Sequence, residues 1–104
     1  MDFIVVFVTA SSEEEGQKIS HNLLQNKLVA CANIVSGIKS MFWWQGKIDQ
    51  SKEVLLILKT QKKLFSKVAK KVKSLHSYEV PEIIALPIVD GDEAYLKWLA
   101  SETA

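Results

Sequence analysis

Apolar and polar positions along this chain fall into three regimes: continuous apolar runs, helical stripes and short polar breaks. Phe3-Ile-Val-Val-Phe-Val8 is an unbroken run rich in β-branched residues, which predicts a strand covered on both faces. At Thr9–Glu15 the pattern changes. Ser11 or Ser12 is placed to cap a helix, and Glu14 or Glu15, three residues on, to complete a capping box. Glu13, Glu14 and Glu15 also lie at the positive end of that helix dipole. Gly16, Ile19 and Leu23 form the inward stripe, with Leu24 at its margin, and Asn26-Lys27 marks the stop.

Leu28 to Val35 returns to strand composition, Gly37 follows, and Ile38 to Ile48 continues as strand carrying Met41, Phe42, Trp43 and Trp44. Gln45-Gly46-Lys47 predicts a bulge or bend, and Asp49-Gln-Ser-Lys52 predicts a turn. Val54 to Leu58 is a second run apolar on both sides. Gln61 to Leu75 is helical: Leu64, Phe65, Val68, Ala69, Val72 and Leu75 fall within about 140° of the circumference. Six lysines between Lys62 and Lys73 occupy the opposite arc. His76 to Glu82 is a loop leading into the strand Ile83–Val89, where Pro87 demands an edge or a bulge. Asp92 then caps a short last helix with Ala94, Tyr95, Trp98 and Leu99.

The order is β, α, β, β, α, β and a terminal helix, with a long aromatic hairpin at the centre. That is an α+β chain of two βαβ-type halves, a ferredoxin-like split sandwich. Its 104 residues suit one domain spanning 1–104. Helices on one sheet face leave the other bare, yet the strands look apolar on both sides. A second copy of the chain is the simplest cover, so homo-oligomerisation is expected.

Composition narrows the chemistry. The 48% hydrophobic and 24% charged residues describe a globular chain, and the formal charge is only +1. All thirteen cations are lysines, and with no arginine the bidentate reading of phosphate or guanine loses its usual residue. Seven lysines from Lys59 to Lys73 are therefore read as a solvated face, and no nucleic-acid partner is expected. Cys31, His21 and His76 are too few to close a Cys/His-only zinc site, and one cysteine makes no intrachain disulfide. No apolar run reaches the length of a membrane span, and Met-Asp-Phe-Ile lacks a signal peptide's basic region. A cytoplasmic chain without a membrane partner is expected.

Three places carry candidate chemistry. Trp43 and Trp44 are neighbours on a strand, so they point to opposite faces and one must meet a loop, a ligand or a partner subunit. Subunit packing is favoured over base stacking for Phe42, Trp43 and Trp44. Cys31 lies between two alanines and reads as a buried thiol, and His21 as a surface residue. His76 stands within six residues of Tyr78, Glu79 and Glu82, a set able to hold a divalent cation or to move protons. The competing reading is a loop held in shape by hydrogen bonds. No nucleophile motif or phosphate loop accompanies these residues, so no enzyme is expected.

Ala30-Cys-Ala-Asn-Ile34, Phe42-Trp-Trp-Gln-Gly-Lys47, Glu53 to Thr60, His76-Ser-Tyr-Glu-Val-Pro-Glu82, Ile84 to Ile88 and Tyr95-Leu-Lys-Trp98 resemble one family. They are similar, in order and from the first strand to the last helix, to the CutA divalent-cation tolerance proteins. The resemblance implies a ferredoxin-like homotrimer whose Phe42, Trp43 and Trp44 hairpin reaches neighbouring subunits. It also implies a role in the response to metal ions, with copper attributed to some members. Their ligands are a cysteine ending the first strand and two adjacent histidines; the matching positions here are Val8 and Leu75-His76. Ser77 also stands where the family usually has proline. What carries over is weak Cu²⁺ contact through His76, with Glu79 or a neighbouring subunit contributing, and no required cofactor. The alternative is a signalling or scaffold module that takes a small anion or a protein at intersubunit clefts lined by Lys59, Tyr78 and Glu79.

Overall fold

Strand β1 (Phe3–Ala10) alternates residue by residue between half-buried and fully buried positions. The computed structural model covers Met1–Ala104 and explains this alternation by the placement of the helices. Helix α1 (Glu13–Gln25) starts at Ser12, whose hydroxyl accepts from the Glu15 N–H at 3.1 Å. Strands β2 (Cys31–Trp44) and β3 (Lys47–Gln61) form the long hairpin. A single 3₁₀ turn, Lys62–Leu64, leads into α2 (Phe65–Leu75), which is followed by β4 (Ile83–Pro87) and α3 (Glu93–Ser101).

The four strands form one sheet in the order β2-β3-β1-β4, every neighbouring pair antiparallel. Strand β4 is an edge, as Pro87 requires. Val6, Val8, Val54, Leu56 and Leu58 point to one face and pack beneath Ile19 and Leu23 of α1 and Val68 and Val72 of α2. Gly16 lets α1 approach closely, because a Cβ there would meet Val54 Cγ2 at 3.0 Å and Leu56 Cδ2 at 3.1 Å. The α2 lysines face outward, and none of Lys62–Lys73 forms an ion pair.

The other face is covered only in part. Val5 and Phe7 pair in register with Lys59 and Ile57 on one side and with Leu86 and Ile84 on the other, all half-buried or exposed. Strand burial on both faces is thus not reached within one chain, since α1 and α2 lie on the same side. Helix α3 packs against β3, where Leu99 is buried and the Gln61 side-chain amide donates to Thr103 Oγ1 at 2.6 Å.

The hairpin differs from the sequence expectation. Asp49–Lys52 is not a turn: Asp49, Gln50, Ser51 and Lys52 pair with Phe42, Met41, Ser40 and Lys39 in an unbroken ladder. The reversal lies at Gln45-Gly46, both left-handed with φ of 50° and 79°, the two-residue loop whose twist matches antiparallel strands. A bulge interrupts β2 where Val35 pairs with Leu55 but Ile38 pairs with Glu53, with Gly37 at φ 78°. The β4 strand is also shorter than expected, ending at Pro87 rather than Val89, and Gln61 closes β3 instead of opening a helix.

Candidate functional site

The loop after α2 is built by three consecutive residues. His76 ends the helix in an extended conformation, its N–H donating to Val72 O at 2.9 Å. Its side chain is 0% exposed. Ring Nε2 lies 2.7 Å from Thr9 O, and a carbonyl can only accept, so Nε2 carries the proton. Nδ1 is then the lone pair that accepts the Tyr78 N–H at 3.0 Å. These two bonds are those of the neutral tautomer, with Glu15 Oε1 4.0 Å from the same Nδ1, and the ring lies 4.7 Å from that of Tyr78, tilted by 47°.

Glu15 reaches the same loop from the first turn of α1. It accepts from the Ser11 N–H at 2.9 Å, the Ser11 hydroxyl at 3.0 Å and the Ser77 N–H at 2.8 Å. Burial alone would raise its carboxyl, but the bonds from Ser11 and Ser77 outweigh that and hold it down at about 2. Tyr78 turns the other way and donates its hydroxyl to Glu53 Oε2 at 2.8 Å. Burial, together with the Glu53 carboxylate, pushes the phenol up. Glu53 is itself only 8% exposed.

Between this loop and the hairpin lies a cleft of about 970 Å³. Phe42, Trp44 and Tyr78 supply its aromatic wall, and Asp49, Glu53, Glu79 and Glu82 its charge, with no cation along it. Glu79 and Glu82 are exposed. Such a cleft concentrates cations through its field. It holds none in a fixed cage, since no three His, Cys, Asp or Glu side chains converge to hold a metal ion.

Of the sequence candidates, Tyr78, Glu79, Phe42 and Trp44 meet at this cleft, and Trp43 points to the other face of the hairpin. Trp43 is 74% and Trp44 60% exposed. Lys59 is elsewhere. It lies six residues beyond Glu53, roughly 20 Å along β3, where its ammonium donates to Asn33 Oδ1 and sits 3.8 Å from Cys31 Sγ. Within one chain Lys59 does not join Tyr78 and Glu79. Cys31 is half-buried rather than sealed in the core, and His21 is exposed as expected.

A copper site of the family design does not fit these residues. Val8 is fully buried among the core aliphatics, Leu75 packs on the same core, and both His76 nitrogens are engaged by the backbone. Sequence reading passed over Glu15 and Glu53. Glu15 stood out only as a capping glutamate. Glu53 had a clearer signal: one carboxylate opening an apolar strand run needs a partner, which Tyr78 provides.

The family model of the CutA1 divalent ion tolerance protein matches residues 4–102. The rice protein CutA 1, chloroplastic, is 46% identical over 96% of this chain, which spans only 56% of that protein's length. The divalent-cation tolerance protein CutA of Thermus thermophilus is 46% identical, with 95% of this chain and 96% of its own covered. The crystal structure of rice CutA1 superposes with a TM-score of 0.98 at 44% identity, covering 100% of this chain and 95% of that one. The α+β arrangement, a four-stranded antiparallel sheet with three helices, is shared with these structures. The chain belongs to the CutA1 divalent ion tolerance family.

Proposed function

We propose that the chain acts as a ferredoxin-like homotrimer in divalent-cation tolerance, contacting Cu²⁺ or similar ions weakly and without catalysis. The carrying observation is the cleft with Asp49, Glu53, Glu79 and Glu82 on its walls and no cation among them. Glu79 and Glu82, exposed at the loop, are the residues that meet the ion first. The contact is a field effect and not a closed coordination sphere, so it is weak and salt-sensitive.

The trimer is supported by exposed apolar side chains, Met41, Trp43, Trp44 and Ile48 on the hairpin and Ile84 and Leu86 on the bare sheet face. Phe42, Trp43 and Trp44 pack there against neighbouring subunits. The lone Cys31 suits a reducing cytoplasm. A small anion at the same cleft would need cations from a neighbouring subunit, because this chain's own wall is acidic.

The test is equilibrium dialysis of chelator-stripped protein against Cu²⁺ at low and high salt. Glu79→Gln with Glu82→Gln is expected to weaken uptake several-fold, and high salt to do the same. Uptake untouched by both changes would remove the cleft from the metal response.

A further inference from the structure

The one family ligand histidine present in this chain has a different occupation. Residues 76, 77 and 78 each tether the loop to a different element. His76 bonds Thr9 at the end of β1, Ser77 bonds Glu15 in α1, and Tyr78 bonds Glu53 in β3. Three attachments at consecutive residues fix a loop in position and orientation, which one attachment cannot do. The segment from Glu79 to Glu82 leaves this anchor and forms one wall of the cleft.

We infer that His76 is a positioning residue, a neutral latch that seats the loop bearing Tyr78 and Glu79, and that it is not a metal ligand. A ligating imidazole must offer a free lone pair. Nδ1 has given its lone pair to the Tyr78 N–H, and Nε2 has its proton directed at Thr9 O. A metal at either nitrogen would leave a half-buried backbone group without its partner. The ring is also closed to solvent. The positions that would complete a soft-metal set are Val8 and Leu75, neither of which offers a donor.

The latch also accounts for Ser77. A proline there would lack the N–H that Glu15 accepts at 2.8 Å. The serine keeps that attachment, which joins the bonds from Ser11 in holding the Glu15 carboxyl down against the burial that would raise it. This inference stands whether or not the cleft attracts cations, because it concerns a different residue and a different readout.

Nitrogen-15 NMR of the imidazoles tests it directly in the unaltered protein. His76 is expected to show a protonated Nε2 and an unprotonated Nδ1, and its signals should survive Cu²⁺ at concentrations that load the carboxylates. In parallel, His76→Phe keeps a ring but removes both bonds, and His76→Gln can still donate to Thr9. The Phe variant is expected to speed amide exchange at Ser77 and Tyr78 at least tenfold, the Gln variant less. Any change in Cu²⁺ affinity should follow the loss of loop order, larger in the Phe variant than in the Gln variant. Saturable broadening of the His76 signals by Cu²⁺, the opposite tautomer, or a tenfold affinity loss with unchanged exchange would overturn the latch. If the Phe variant does not fold, the imidazole spectrum decides alone.

Discussion

Strands β2 and β3 pass through two regions that share one ladder and little else. At the base, Ala32 and Ile34 face Leu58 and Leu56 beneath the helices, where the β3 pair is fully buried. On the arm, Met41, Trp43 and Ile48 are as apolar and all are well exposed. A two-stranded ribbon alone is marginal in water. Apolar side chains in the base hold the chain together, whereas those on the arm hold nothing within it. Identical strand chemistry serves folding in one half and, in the trimer proposed above, association in the other.

The contrast makes separable predictions. Leu56→Ala should have the largest effect, a loss of about 2–5 kcal/mol read as a lower denaturant midpoint, because it empties part of a closed core. Trp43→Ala combined with Trp44→Ala should leave the far-UV circular dichroism of the base intact while lowering the mass in sedimentation. Each buried interface tryptophan contributes about 2 kcal/mol or more. An unchanged mass would show that the arm serves some purpose other than assembly.

Next in size is Glu15→Gln, expected to cost about 1–3 kcal/mol by weakening the acceptors of Ser11 and Ser77. Glu15 is held at about 2 against an ordinary value of 4.5, so it binds fewer protons folded than unfolded. Its contribution is complete above pH 4.5 and is lost as the pH falls towards 2. The Gln variant should therefore flatten acid unfolding across that window, and an identical slope would exclude Glu15 as its source. The smallest effect belongs to the tip of the arm. Gly46→Ala, at φ 79°, should cost about 1 kcal/mol in the thermal midpoint, while Gln45→Asn should gain a few tenths.

Much of the fold was legible because its signals are local. The Gly16, Ile19, Leu23 stripe, the cap at Ser12 and the Leu64 to Val72 face all appear where spacing predicts. Asp49 misled for an instructive reason. Its carboxylate accepts from the Gln50 N–H at 2.8 Å, the local bond that favours turns, yet pairing with Phe42 across the hairpin prevails. The site was less legible. Tyr78 and Glu79 were visible as a short cluster, but Glu53 is 25 residues from Tyr78 and Glu15 is 62 from Ser77, distances that no spacing rule spans. His76 advertised ligand chemistry, and its bond to Thr9, 67 residues away, lies equally beyond any spacing rule.

The bulge at Ser36-Gly37 sets two residues of β2 against the single Val54 of β3. Before it, Cys31, Asn33 and Val35 share the face of Leu55 and Ile57; after it, the even-numbered Ile38, Ser40, Phe42 and Trp44 share the face of Glu53 and Ser51. One extra residue has inverted the parity of the strand. Regular pairing through this point would instead set Gly37 against Glu53 and turn Trp43 towards the acidic wall, with Phe42 and Trp44 sent to the far side. Which tryptophan the cleft receives is thus decided by counting, at a glycine where an added Cβ would meet nothing.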